Sequence, residues 1–228
     1  MIGSMGKRFA AGVLPLFLLL AWVALPVAGC SHSLARKNGP ECAPASAVTN
    51  LIRIPPTRQS TDYTCGVAAL QSVLLHLDGK DDYSEGTLAV ELKADQASGT
   101  GYRAIADFAR NKGYGAEMRT EMSLADLRRH IDGGNPVIVL FQAWSDAPVD
   151  YSQDVEDGHY AVAIGYDVEN VYFMDPSVLG NYACIPNREF LDRWHDEDKG
   201  ERLDRFGLII TNDALKKPYD PDRVIRIR

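Results

Sequence analysis

An α+β domain is predicted by this sequence, on three observations. Helical signals gather between Cys65 and Gly134, short β-rich runs gather after Pro136, and the two do not alternate as a parallel α/β sheet would require. Ahead of both lies a segment of about thirty residues with the composition of a targeting signal and not of a folded element.

The first helix is expected from Val67 to Leu77, stopped by Asp78-Gly79. Val67, Leu70, Leu74 and Leu77 fall on one stripe and nearly every other face is apolar too, the pattern of a helix buried on all sides. Shorter helices are expected over 84–93, over 100–112 with Gly113 ending the run, and over 123–132 with Gly133-Gly134 after it. Ser123 and Asp126 have the spacing of a capping box, with Asp in the usual Glu role. Strands are expected at Val137–Phe141, Tyr160–Tyr166 and Val171–Met174, the last two joined through Asp167-Val168-Glu169-Asn170. Asn187 is placed as the cap of a short helix carrying Phe190, Leu191 and Trp194, and Phe206–Ile210 is a fourth strand. The tail, 215–228, is basic and broken by prolines, with the character of a surface strand.

Residues 1–29 read as a lipoprotein signal peptide. Lys7 and Arg8 make a basic start, Phe9–Ala24 is almost wholly apolar, and Val27-Ala28-Gly29 supplies small residues beside a cleavage point. The run is nearly long enough to span a bilayer, but Pro15 and Pro26 interrupt it and small residues ending in cysteine follow. Leu25-Pro-Val-Ala-Gly29-Cys30 resembles the lipobox of bacterial lipoproteins. That resemblance implies that Cys30 is acylated and becomes the mature N-terminus, in the bacterial cell envelope outside the cytoplasm; an uncleaved anchor or an ordinary secretory signal are the alternatives. Ser31 stands where an acidic retention residue would, so the outer membrane is favoured where a cell has two. Residues 30–52 are polar and aperiodic and read as a tether, with the folded domain over 53–214.

The chain carries 24 Lys and Arg against 31 Asp and Glu, a net charge of −7. Losing Lys7 and Arg8 with a signal segment that holds no acid takes the mature chain to −9. Such a surface opposes nucleic-acid binding, which needs cations to neutralise phosphates, and fits a body held at a membrane only by its anchor. About 200 residues remain, enough for one buried core and too few for two ordinary domains.

A thiol attacks as thiolate, and an ordinary cysteine pKa lies near 8.5, so a nucleophilic cysteine needs a depressing influence. Cys65 stands where the buried helix begins, where unpaired N–H groups and the helix dipole favour a negative sulfur. Gly66 is expected to let the backbone approach a substrate. The competing reading is a buried structural cysteine. His159, in Asp157-Gly158-His159-Tyr160, lies where an acidic stretch becomes a strand; His76, His130 and His195 are expected on helices and His32 in the tether. Asp175 closes the next strand before Pro176, a position that by itself reads as a turn former. For Asp175 to orient His159 the two must share a sheet face. A two- or four-residue loop centred on Val168 and Glu169 puts them on opposite faces, so the pair requires an odd loop or a bulge. Gln59, six residues before Cys65, can hold an oxyanion beside the Cys65 N–H or be an ordinary loop glutamine.

Together Gln59, Cys65-Gly66, His159 and Asp175-Pro176 resemble the bacteriocin-processing, double-glycine-leader peptidases of the papain-like superfamily, in which a glutamine also stands six residues before the cysteine and an aspartate sixteen after the histidine. Ala68-Ala69-Leu70, Asn135-Pro136-Val137-Ile138-Val139 and Phe190–Trp194 also look like that family's pattern, and the likeness spans roughly 55–212. The resemblance implies a papain-like fold, with a helical half bearing Cys65 packed on an antiparallel sheet half bearing His159. It implies Cys65 as nucleophile, His159 as general base and acid, Asp175 as its orienter and Gln59 as oxyanion donor. Those processing enzymes usually form the N-terminal domain of an export ATPase, which is not expected here, and Thr64 stands where they commonly carry an acid.

The expected activity is hydrolysis of peptide or amide bonds in a peptide or protein substrate, with neither metal nor organic cofactor. No cysteine pair has zinc-site spacing, and the acids ahead of His159 lack the glycine of an EF-hand. An acyltransferase on the same scaffold and a non-catalytic envelope binding module are the alternatives; oligomeric state has no signature here. Asp146, Asp150, Asp154, Glu156 and Asp157 crowd the loop before His159, which predicts a preference for basic peptides if that loop lips the cleft. With Cys30 and Cys65 so assigned, Cys42 and Cys184 are left over, and an oxidising envelope permits a bridge pinning the N-terminal extension to the C-terminal half.

Overall fold

The computed structural model describes residues 42–79, 82–178, 180–212, 219–224 and 226–227. The signal segment 1–29, Cys30, the tether as far as residue 41 and part of the basic tail lie outside the described residues. Five helices are α1 (Cys65–Asp78), α2 (Glu85–Leu92), α3 (Tyr102–Asn111), α4 (Leu124–Asp132) and α5 (Asn187–Arg193). The strands are β1 (Gly115–Arg119), β2 (Val137–Gln142), β3 (Gly158–Tyr166), β4 (Asn170–Met174), β5 (Ala183–Pro186), β6 (His195–Asp198), β7 (Glu201–Asp204) and β8 (Gly207–Thr211). An antiparallel sheet runs in the order β1-β8-β2-β3-β4-β5, and β6 and β7 pair as a separate hairpin.

α1 is buried along almost its whole length, as its apolar composition requires, and Gly79 ends it in the left-handed conformation at φ 61°. α1 to α3 pack on the face of the sheet that carries Ile138, Leu140, Tyr160 and Val162. Leu127 and Ile131 of α4, with Phe190 of α5 and the adjoining Trp194, cover the other face, against Val139, Phe141, Ala161 and Phe173. The alternation of β2 and β3 thus feeds two cores, which is why β2 is apolar at five consecutive positions. The Ser123–Asp126 capping box forms, each side chain accepting from the other's backbone N–H.

Several expectations are corrected. β1, β5, β6 and β7 are additional strands. Pro186, not Asn187, precedes the first turn of α5, and the Asn187 side chain instead donates to Val168 O at 2.8 Å. His195 begins β6 and is buried, not helical. The described tail residues form no strand; Tyr219 N–H donates to His76 O at 2.9 Å. From Cys42 onward the expected tether is part of the fold: Cys42 is disulfide-bonded to Cys184, and Val48 and Ile54 are buried in the core under α1.

The β3–β4 pairing contains the irregularity that a His159–Asp175 pair requires. Tyr166 pairs with Val171 and Gly165 with Tyr172, around a two-residue turn at Val168-Glu169; beyond it Ala163 pairs with Phe173 and Val162 with Met174. Ile164 is therefore an extra residue on β3, a β-bulge. Extending the register outward brings His159 opposite Ser177 and onto the face of Asp175; with Ile164 paired in regular register instead of bulged, His159 would come opposite Val178, with Asp175 on the other face.

Leu70 is fully buried in α1, so Leu70→Ala is expected to cost about 2–5 kcal/mol of stability. The midpoint of urea unfolding, compared with the unchanged chain, measures this.

Candidate active site

Cys65 opens α1, 7% exposed as a residue, just after the Thr61–Thr64 turn. Gly66 is required by packing: a Cβ there would stand 2.8 Å from Thr100 Cβ and 3.0 Å from the Tyr160 ring. Glycine lets the start of α1 approach β3, and Tyr160 is the neighbour of His159. His159, the second residue of β3, is 5% exposed, and Phe141, its partner on β2, sets a ring edge-on to it at 5.8 Å.

Asp175, also 5% exposed, accepts from His159 Nε2 on Oδ1 at 3.0 Å. The Ser177 N–H donates to the same oxygen at 2.8 Å, and the Trp144 indole N–H donates to Oδ2 at 3.2 Å. With Nε2 committed to Asp175, Nδ1 is the nitrogen left for a second partner, and Cys65 lies near enough to the ring to act on its charge. Burial disfavours the charged imidazole, but the hydrogen bonds and charges of Asp175 and Cys65 more than offset it, and the His159 pKa is pushed up to about 9. The ring thus stands beside Cys65 at the N-terminus of a helix.

Gln59 is half-buried. Its N–H donates to Pro176 O at 3.2 Å, its side-chain Nε2 donates to Thr61 O at 2.9 Å, and Ser177 Oγ donates to its Oε1 at 3.1 Å. It therefore ties the segment ahead of Cys65 to the segment behind Asp175, with its second amide hydrogen left over from these contacts.

Trp144 and Ser177 are site residues that sequence reasoning misses. Trp144 sits just past β2 in the left-handed region at φ 66°, a strained setting for a bulky residue, and is 57% exposed over the His159 ring at 6.4 Å. The available signal is its position, immediately beyond the strand that neighbours the histidine strand.

A cavity of about 210 Å³ opens beside Cys65. Its walls include Thr100, Gly158 and Tyr160 and four acids, Asp62, Asp196, Glu197 and Asp198. The five acids of the loop before His159 are not among its lining residues, so the acidic wall comes from β6 and the turn before α1 instead. Burial raises the Asp196 pKa, against a hydrogen bond from Gln142 Nε2 at 2.8 Å.

The fold has counterparts among known proteins. At TM-score 0.51 and 20% identity the fold resembles a double-glycine-motif protease from an AMS/PCAT transporter, solved with its leader peptide, over 71% of this chain and 93% of that one. The peptidase domain of Streptococcus ComA, a bifunctional ABC transporter of a quorum-sensing pathway, matches at TM-score 0.52 and 19% identity, over 70% of this chain and 98% of that one. A Bacillus anthracis protein named as a C39-like peptidase matches at 0.53 and 19%, over 74% and 98%. The fold is thus the papain-like cysteine peptidase fold, helical half against antiparallel sheet. The sequence matches the peptidase C39-like family over residues 51–200, and the chain belongs to that family. An uncharacterised protein of Methanothermobacter marburgensis is 32% identical over 121 residues, 53% of this chain and 70% of that one.

Trp144→Phe keeps a ring over His159 but deletes the N–H that Asp175 accepts. Loss of one hydrogen bond to a charged group is expected to slow alkylation of Cys65 by iodoacetamide about tenfold at pH 6; the labelling rate of the Cys65 peptide by mass spectrometry checks this.

Proposed function

We propose that this protein is a cysteine peptidase that hydrolyses peptide or amide bonds outside the cytoplasm of a bacterial cell, held to the membrane by lipid on Cys30. One observation carries the chemistry: a buried carboxylate, Asp175, fixes the His159 ring at 3.0 Å, and Cys65 stands close to that ring at the start of α1. The extracytoplasmic setting rests on the lipobox-like run ending at Cys30 and is supported by the Cys42–Cys184 bridge, a covalent link that reducing compartments disfavour.

In this reading the Cys65 thiolate attacks the carbonyl carbon and forms an S–C bond, and the carbonyl electron pair moves to oxygen. The Cys65 N–H and the free hydrogen of the Gln59 amide hold that oxyanion. Collapse breaks the C–N bond as the His159 imidazolium gives its proton to the departing amine. The neutral ring then takes a proton from water, which hydrolyses the thioester, frees the acid and restores Cys65. Asp175 keeps the ring in the tautomer that turns Nδ1 to sulfur. A peptide substrate is supported by the leader peptide bound to the double-glycine protease of similar fold.

Cys65→Ala is expected to abolish hydrolysis, and His159→Ala to reduce it on the order of 10³-fold or more. Because the ring must be protonated to release the amine, kcat/KM should fall on the alkaline side with an apparent pKa near the His159 value of about 9. A pH–rate profile on a peptide library tests all three; activity that persists in Cys65→Ala would refute the assignment.

The acidic wall beside Cys65 is expected to favour a basic side chain near the scissile bond. Lys- or Arg-containing peptides should be cleaved faster than Glu-containing ones, and Asp62→Asn with Asp198→Asn should narrow that difference. Equal cleavage of basic and acidic peptides by the unchanged enzyme would rule the preference out.

A further inference from the structure

The bulge at Ile164 decides whether His159 and Asp175 meet, yet nothing in the β3–β4 pairing alone holds an extra residue at that position. What lies against it is the N-terminal strap, residues 42–54. The Ile52 N–H donates to Ile164 O, the carbonyl of the extra residue, at 2.7 Å. A Cβ on the next residue, Gly165, would stand 2.8 Å from Leu51 Cδ1, 3.3 Å from Leu51 Cα and 3.5 Å from Val48 Cγ1. The strap's backbone thus rests on a glycine that has no room for a side chain.

The same rung of the sheet carries the strap's other fastenings. Gly165 pairs with Tyr172 on β4, and Tyr172 pairs with Cys184 on β5. The Ala43 N–H donates to Tyr172 Oη at 2.9 Å, and Cys42 is bonded covalently to Cys184. The Tyr172 hydroxyl donates in turn to Asp167 in the hairpin turn at 2.6 Å. At the far end Tyr182 Oη accepts from Ile54 N–H at 3.1 Å and donates to Ile54 O at 2.7 Å. All three strands at this rung, and the turn that joins two of them, are therefore gripped by one segment.

We propose that the disulfide-fastened strap is a positioning element for the active site: it pins the extra residue of β3 at Ile164, and by fixing that register it keeps His159 on the face of Asp175. Cys42, Leu51, Ile52 and Cys184 are then positioning residues that act on Cys65 chemistry from the far end of β3, without touching substrate. The inference rests on the reading of Cys65, His159 and Asp175 as one working unit.

The test uses the purified full chain and the rate of Cys65 alkylation by iodoacetamide from pH 4.5 to 9, mapped to the Cys65 peptide. Circular dichroism and the thermal transition establish that each variant is folded. The unchanged chain should label at pH 5.5, well below the range of an ordinary thiol. In Cys42→Ser/Cys184→Ser, labelling at pH 5.5 is expected to drop at least tenfold and the profile to move towards pH 8.5, a change in pH dependence that general loosening would not produce. Ile52→Pro, which keeps the bridge but deletes the N–H given to Ile164, should move the profile the same way, and it decides between the outcomes if the two-serine chain does not fold. Acid labelling retained in both folded variants would overturn the role of the strap and leave the proposed chemistry standing. Acid labelling missing from the unchanged chain would overturn the proposed chemistry, and this inference with it.

Discussion

Parity in a β-hairpin is the constraint on which this site depends. Side chains alternate along a strand with period two, so whether residues on neighbouring strands face each other is decided by one residue more or fewer between them. Here the two-residue turn at Val168-Glu169 would by itself separate His159 from Asp175, and Ile164 reverses that outcome. The bulge lies deep in the sheet, with Ile164 fully buried, so the adjustment is made inside the core and not at a flexible rim. The packing accommodates it: Ile164 joins the core below α1, while Ala163, one residue earlier, joins the core below α4 and α5.

Once the two side chains share a face, burial sets the electrostatics. A charged imidazole in a nearly closed site is costly unless a counter-charge and hydrogen bonds meet it. Asp175 supplies both, and its own oxygens are occupied by His159, Ser177 and Trp144. On the open side, Gln142 at the end of β2 binds Asp196 through its amide nitrogen, and its oxygen accepts the Asp157 N–H at 2.9 Å. One buried side chain thereby sets the acidic wall of the cavity and the approach of the loop that leads into β3.

Much of this is legible in the sequence, for reasons that differ by element. α1 announces itself because a helix buried on all sides must be apolar on all sides, and β2 to β4 because their residues serve two cores. The Ser123–Asp126 cap is a local interaction and therefore a local signal. The polar strands β1, β6 and β7 give no such signal: Gly-Ala-Glu-Met-Arg, His-Asp-Glu-Asp and Glu-Arg-Leu-Asp are strands because of what they pair with. The need for a bulge can be deduced by counting, but not its place, since Ala163-Ile164-Gly165 reads as ordinary strand until Leu51 is seen against Gly165. Trp144 stays hidden because its role comes from a contact across the sheet. The acidic wall comes from a segment other than the expected one because nearness in sequence to His159 is not nearness to Cys65.

The bridge between Cys42 and Cys184 also places the protein in a narrow chemical position. Cys65, the free cysteine among the described residues, serves the proposed reaction only in its fully reduced form, while the strap is fastened only when its two sulfurs are joined. A medium reducing enough to repair an oxidised Cys65 also pulls towards opening the bridge, and one oxidising enough to keep the bridge closed threatens Cys65 with sulfenic acid. Burial of Cys65 slows the second hazard by limiting access. On the proposed chemistry and the proposed role of the strap, the working state is confined to a band of redox poise with a limit on each side.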